Sequence, residues 1–325
     1  MSEAAAAVGE RCSPALSEQV NSVHRRRIAR VFGWALVAGL VWLAVRRIDL
    51  ASLATTLRGA RVAPLALAVL CNVIANTVAR VRRWEALLRP LPHAQTASFF
   101  DLARLLFAGY AFSNLLPARA GEAVRVVELH RRRGYPASGL VAVQIAGKAI
   151  ETLSLGLLCG IVSLTPGPGR APLALGGALA VCGLILLLAL PRRVPAASAA
   201  PGFLRGLLRA MRTVHARRSW LSSVGWSLLS DATDLLMVAL CLRAFGIDVP
   251  PAAWALVLFS VNLAILLPST PGQVGVLEAG GVLALTMAGV PPAPALAFAL
   301  AYHAVHLVPT TALGLAGLCL PWRQS

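Results

Sequence analysis

Charge is scarce in this 325-residue sequence: Asp, Glu, Lys and Arg together make up 13% of it, about half of what soluble domains carry. Hydrophobic residues reach 58% and the mean hydropathy is +0.73, so a water-soluble, secreted or disordered chain is excluded. Acid is scarcer than base, 13 residues against 30, and the net charge of +17 would ordinarily raise nucleic acid as a partner. The placement of the arginines argues against that. They gather between apolar runs, as Arg25-Arg26-Arg27, Arg82-Arg83, Arg131-Arg132-Arg133 and Arg192-Arg193, the way cytoplasmic loops of membrane proteins are marked. The six cysteines show no paired spacing and fall mostly inside apolar stretches, so neither a disulfide framework nor a zinc site is implied. Walker, Rossmann and nucleophile motifs are missing, and no loop is long enough for a soluble catalytic domain. The sequence reading is therefore a non-enzymatic protein without cofactor or metal.

What is present is a succession of apolar runs: about Val31–Val45, Val62–Ala79, Ala97–Leu116, Ala137–Leu164, Pro172–Leu190, Trp220–Leu242, Ala252–Leu267, Val274–Val290 and Ala293–Leu320. An all-α integral membrane protein follows, a polytopic helical bundle. Residues 1–30 read as a cytoplasmic leader and 31–325 as a single transmembrane domain, its first run an uncleaved helix rather than a signal peptide because many spans follow. If all nine runs crossed, the Arg131-Arg132-Arg133 triplet would lie outside, against the charge bias. A re-entrant hairpin from Ala97 to about Val127, broken at Pro117 and Gly121, avoids this. The reading is six full spans and two re-entrant hairpins in the inner (plasma) membrane, with both termini and the Arg-rich linker 191–218 cytoplasmic.

The two halves resemble each other. Leu115-Leu116-Pro117-Ala118-Arg119-Ala120-Gly121-Glu122 aligns without a gap with Leu266-Leu267-Pro268-Ser269-Thr270-Pro271-Gly272-Gln273, at an offset of 151. Repeat 1 covers about 62–190 and repeat 2 about 219–320; in the topology above they run in opposite directions. Inverted repeats with helices interrupted at corresponding positions point to a transporter site near the bilayer midplane. The competing reading is coincidence, since Leu-Leu-Pro and Pro-Gly are common at helix ends. The expected breaks are Pro117, Gly121, Pro268, Pro271 and Gly272.

Ionisable residues inside a membrane are costly and so are functional candidates. Arg119, Glu122 and Arg125 surround the first break, where an arginine could fork onto a phosphate; alternatively Glu122 only caps a helix. Lys148, the single lysine, and Glu151 stand three apart in an apolar helix, as a transport pair or a packing ion pair. Asp231 and Asp234 lie deep in a run that has no base between Trp220 and Leu242, which makes Lys148, Arg119 or Arg125 their expected partners. Glu278 follows the second break. His303 and His306 fit hydrogen-bonding roles better than a metal site, because no further ligand stands at zinc spacing. The candidate headgroup site is thus Arg119, Glu122, Arg125, Lys148, Glu151, Asp231, Asp234 and Glu278.

These motifs resemble the flippase-like membrane region of lysylphosphatidylglycerol synthases, from about the second span to the last. The resemblance rests on Arg82-Arg83-Trp84 with Leu87-Leu88, on Asn114 through Glu122 with Arg125, on Lys148-Ala149-Ile150-Glu151, and on Pro271-Gly272 through Gly275 to Glu278. Two positions depart from the pattern: Gly147 stands where an acid usually precedes the basic residue, and Leu277 where an arginine usually precedes the glutamate. The resemblance implies handling of polar-headed lipids by a stand-alone member without the aminoacyl-transfer domain. Membrane lipids are the implied partners, with a lipid or glycan synthase as a further one; a non-catalytic subunit and a lipid-modifying enzyme remain alternatives.

Overall fold

Prolines and glycines punctuate the helices. The computed structural model describes residues 50–93, 95–115, 120–189, 202, 206–207, 217–265 and 271–319, and the described elements are helical. Helix α1 is Leu50–Arg58, and α2 runs from Val62 to Leu88 through a π-helical segment at Cys71–Asn76. A short pair follows, α3 (Phe99–Leu115) and α4 (Ala120–Arg133), then α5 (Ala137–Val162) and α6 (Arg170–Ala189). After the linker come α7 (Arg217–Ala244), α8 (Pro251–Ile265), a 3-10 turn at Pro271–Gln273, α9 (Val276–Met287) and α10 (Pro292–Cys319). Pro251 and Pro292 take the first helical position, where the missing N–H has no intrahelical partner to lose.

Four helices are long and apolar enough to cross a bilayer: Val62–Leu88, Ala137–Val162, Ser219–Ala244 and Pro292–Leu318. The predicted first span, Val31–Val45, lies outside the described residues. Between the long helices sit the short ones, α3 with α4 and α8 with α9, each pair packed together and both pairs packed on α10. Their boundaries nearly repeat: α3 ends at Leu115 and α8 at Ile265, α4 begins at Ala120 and the 3-10 turn at Pro271. One buried apolar cluster joins the later half of α2 to α3, α4 and α5 around Leu87, Leu102, Leu129 and Ile150. A second joins α7 to α8, α9 and α10 around Met237, Leu256, Leu285 and Phe298.

Gly121 departs from its expected place. It stands in the first turn of α4 instead of in a break, and a Cβ there would come within 1.7 Å of the Gly109 carbonyl oxygen on α3. Its small size lets the two helices touch backbone to backbone, as membrane helix pairs do. Gly272 is the break that was expected, with φ of 69°. Pro271 opens the 3-10 turn there, while Pro117 and Pro268 lie outside the described residues.

Pro309 sits inside α10 and has no N–H to offer the Val305 carbonyl one turn earlier. That carbonyl accepts instead from Asn72 Nδ2, at 3.0 Å, across the interface with α2. In hydrocarbon a freed carbonyl must find such a partner, so the proline and the asparagine form one structural unit.

Candidate functional site

A cavity of about 910 Å³ opens between α2, α3, α4, α5, α7, α8, α9 and α10. Its wall carries four basic side chains, Arg80, Arg83, Arg125 and Lys148, and three acidic ones, Glu122, Glu151 and Asp234, together with His303 and His306.

Arg80 organises the centre. Its Nη2 lies 3.2 Å from Asp234 Oδ2, its Nη1 donates to the Tyr110 hydroxyl at 2.8 Å, and its Nε donates to Asn76 Oδ1 at 2.8 Å. Asn76 Nδ2 donates to the other oxygen of Asp234 at 2.6 Å, and Ser230 donates to Asn76 Oδ1 at 2.7 Å. His306 Nε2 stands 3.7 Å from Asp234 Oδ1. Asn72 and Asn76 both lie within the π-helical segment of α2, and such local widening is common where a helix carries function.

On the α5 side Glu151 receives Lys148 Nζ at 3.3 Å and Arg83 Nη2 at 3.8 Å, while Arg83 Nη1 donates to Ser227 at 3.1 Å. The α4 side holds Arg125, whose guanidinium lies over the Tyr110 ring at 4.8 Å and donates through Nη2 to the Leu106 carbonyl at 3.0 Å. Its Nε is buried without a hydrogen-bond partner, and so is Nε2 of the cavity residue Gln144. Asp234 accepts from Asn76 and Arg80, whereas these two donors have no partner.

The second break borders the same space. His303 Nδ1 is 2.6 Å from Glu278 Oε1 and its Nε2 is 2.8 Å from the Gly272 carbonyl oxygen. Glu278 Oε2 accepts the Gly275 N–H at 2.7 Å. Where the sequence pattern leads one to expect an arginine stands Leu277, and Glu278 takes its counter-group from His303 on α10. The turn also touches the end of α3: a Cβ on Gly272 would lie 3.5 Å from the Asn114 carbonyl, and Asn114 Nδ2 donates to Thr311 at 2.8 Å.

The structure therefore brings together Glu122, Arg125, Lys148, Glu151 and Asp234 in one wall, with Glu278 buried directly behind it against His303. Arg119 lies outside the described residues. Asp231 is buried away from the cavity wall, beside Ser154 at the α5–α7 interface, with Oδ2 unpartnered. Three residues leave the two side chains about 60° apart around α7, enough for Asp231 to meet Ser154 on α5 while Asp234 meets Arg80 on α2. The expected partners of Asp234 are also corrected: Arg80 holds it, while Lys148 pairs with Glu151. Sequence reasoning missed Asn72, Asn76, Arg80, Arg83 and Tyr110. Asn72, Asn76 and Arg80 recur every fourth residue on one face of an otherwise apolar run, which was the available signal.

One predicted surface arginine is structural. Arg133 is buried, with Nη2 at 2.7 Å from Asp101 and Nη1 donating to Gln95 at 2.9 Å, so it ties the end of α4 to the start of α3. Nearby, burial raises the pKa of the Tyr135 phenol and keeps it neutral. Among the described residues no group of three or more His, Cys, Asp or Glu could hold a metal ion.

Comparison with known proteins places this architecture. A curated relative is the glycosyltransferase AglD of Haloferax volcanii, 28% identical over 342 residues and 90% of this chain. The match takes in 54% of that protein, so the chain spans about half the length of this relative. The family model for the lysylphosphatidylglycerol synthase TM region matches residues 30–314, which covers the cavity and both short-helix pairs. The chain is thus a multi-pass membrane protein that belongs to the lysylphosphatidylglycerol synthase TM region family.

Proposed function

We propose that the chain is a flippase-like transporter that moves or handles polar-headed phospholipids or lipid-linked intermediates, holding the headgroup in the central cavity while the apolar chains stay in lipid. One observation carries this reading: the cavity wall sets four basic side chains against three acidic ones, and with Asp234 held by Arg80 and Glu151 by Lys148 and Arg83, Arg125 has no carboxylate within 4 Å among the described residues. A partly buried guanidinium without a counter-charge is costly, and the acceptor-rich oxygens of a phosphate would supply one. Crossing roughly 30 Å of hydrocarbon requires such replacement of headgroup hydration. The near-repeat of the short-helix pairs supports an inverted repeat with two re-entrant hairpins, and the arginine distribution supports cytoplasmic termini and linker in the inner membrane. Asp234, engaged by Arg80, serves in this reading to position the guanidinium rather than to bind a cationic headgroup.

The test is reconstitution into liposomes with headgroup-labelled phospholipid and a membrane-impermeant quencher. Arg125→Gln combined with Gln144→Leu is expected to fold normally and slow lipid movement about ten- to a hundredfold, the value of one or two charge-assisted hydrogen bonds. Movement at the parent rate in a monodisperse double variant would reject the site.

A second reading is favoured by the doubled length of the glycosyltransferase relative: a non-catalytic membrane subunit serving a separate lipid or glycan synthase. Purification from native membranes distinguishes it, since a subunit would be recovered with its synthase and would move no lipid alone.

A further inference from the structure

The turn at the second break uses three left-handed residues, Gly272 with φ of 69°, Gln273 with φ of 62° and Gly275 with φ of 88°. Gln273 is the single non-glycine with positive φ among the described residues. That conformation is unfavourable for a side chain with a Cβ, so the turn has to be held from outside. His303 and Glu278 supply the hold, on the Gly272 carbonyl and the Gly275 N–H respectively.

The protonation of this clamp follows from its geometry. The Gly272 carbonyl can only accept, so His303 Nε2 carries a hydrogen. The other ring nitrogen, Nδ1, faces a carboxyl oxygen at 2.6 Å, and that contact requires a proton between them. Whether imidazolium faces carboxylate or imidazole faces carboxylic acid, the pair holds one proton more than a neutral imidazole and a carboxylate. Without it, a nitrogen lone pair would face a negative oxygen at hydrogen-bond distance. A second extra proton has no good place either, because Glu278 Oε2 already accepts from Gly275.

Other ionisable groups face elsewhere or are engaged. On α10 these are Tyr302 and His306, on α7 Asp231, Asp234, Cys241 and Arg243, on α2 Cys71, Arg80, Arg82, Arg83 and Glu85, on α3 Asp101, Arg104 and Tyr110, and on α1 Arg58. Asp234 and Arg80 bind each other, and Arg80 also binds Tyr110. Helix α8 and the remainder of α9 contribute none. Among the described residues no lysine or arginine pairs with Glu278, so its partner is His303.

We propose that Glu278 and His303 form a proton-binding site that latches the 271–275 turn, so that losing the proton releases the stretch of cavity wall made by Gly272 and Gln273. This goes beyond the lipid reading and does not depend on it.

The experiment uses the full chain in phospholipid nanodiscs, with a ketone-bearing unnatural residue at Val274 carrying a spin label; Val274 is half exposed on the turn. The label is expected to be immobile near pH 6 and at least about twofold more mobile near pH 9, after the imidazole–carboxyl proton is lost. Glu278→Gln mimics the protonated pair, because its carboxamide can donate to neutral Nδ1 and accept from Gly275, so the label should stay immobile at both pH values. His303→Phe should be mobile at both. An immobile label at both pH values in the parent, or a Glu278→Gln variant that follows a mobile parent, overturns the latch. As a label-free check, infrared difference titration of the parent should show an acid or imidazolium band that Glu278→Gln removes; its persistence in the variant also overturns the proposal. Neither readout contains lipid movement, so a chain that titrates this way but moves no lipid would reject the transport reading alone.

Discussion

Removing Arg80 while leaving Asp234 in place tests how the cavity is held open. The side chains are 22% and 11% exposed, with charged atoms 3.2 Å apart. At an effective dielectric of about 20 their direct attraction is about 5 kcal/mol, most of it offset by the water each group gave up. The intact pair therefore contributes little net stability. Orphaning the carboxylate is another matter: only Asn76, and His306 at longer range, remain to face it. Arg80→Met should cost about 3–5 kcal/mol, toward the lower end because the cavity admits some solvent. A chain of this size should then lose roughly 4–8 °C of melting temperature in detergent, read by the fraction remaining monodisperse after heating. Adding Asp234→Leu removes the orphaned charge and should restore most of that loss. An Arg80→Met variant that melts with the parent would refute the reasoning, and so would a double variant no more stable than the single one.

Other expectations follow from separate features. Gly121→Ala should abolish folded yield, judged by monodisperse recovery, because no side-chain rotation relieves a Cβ 1.7 Å from the Gly109 backbone oxygen. Asn72→Leu should destabilise by about 1–3 kcal/mol through the Val305 carbonyl it leaves unpaired, and Pro309→Ala in that background should recover most of it by returning the helical N–H; thermal melts of the pair check this. Accessibility tags at Arg132 and Arg209 should react from the same side of the membrane, and labelling from opposite sides would break the proposed topology.

The helical class, the four long spans and the interruption at Gly272 were legible because apolar length and Pro-Gly spacing are local properties. Most of the candidate wall was legible too, since an ionisable residue in an apolar run is conspicuous. What escaped is instructive. Arg80 stands just before the Arg82-Arg83 cluster, and reading such arginines as loop markers conceals that α2 carries its helix on to Leu88. Asp231 and Asp234 read as a pair by spacing, yet the angle of about 60° between them is enough for each to meet a different neighbouring helix, α5 for Asp231 and α2 for Asp234. Gly121 was ambiguous in principle: a glycine that allows a break and one that allows contact look alike until the neighbouring helix is placed.

Lys148 also gives the molecule a chemical handle. It is the one lysine in the sequence, its side chain is 51% exposed, and it belongs to the cavity wall. Amine-directed reagents, which modify most proteins at many side chains, have a single lysine to find here, placed where a headgroup would sit. The rate of its acylation therefore becomes a gauge of occupancy that needs no substitution: a lipid that fills the cavity shields the amine, and one that does not leaves the rate unchanged. Candidate lipids can be ranked in that way on the unaltered protein, before any transport assay is built around one of them.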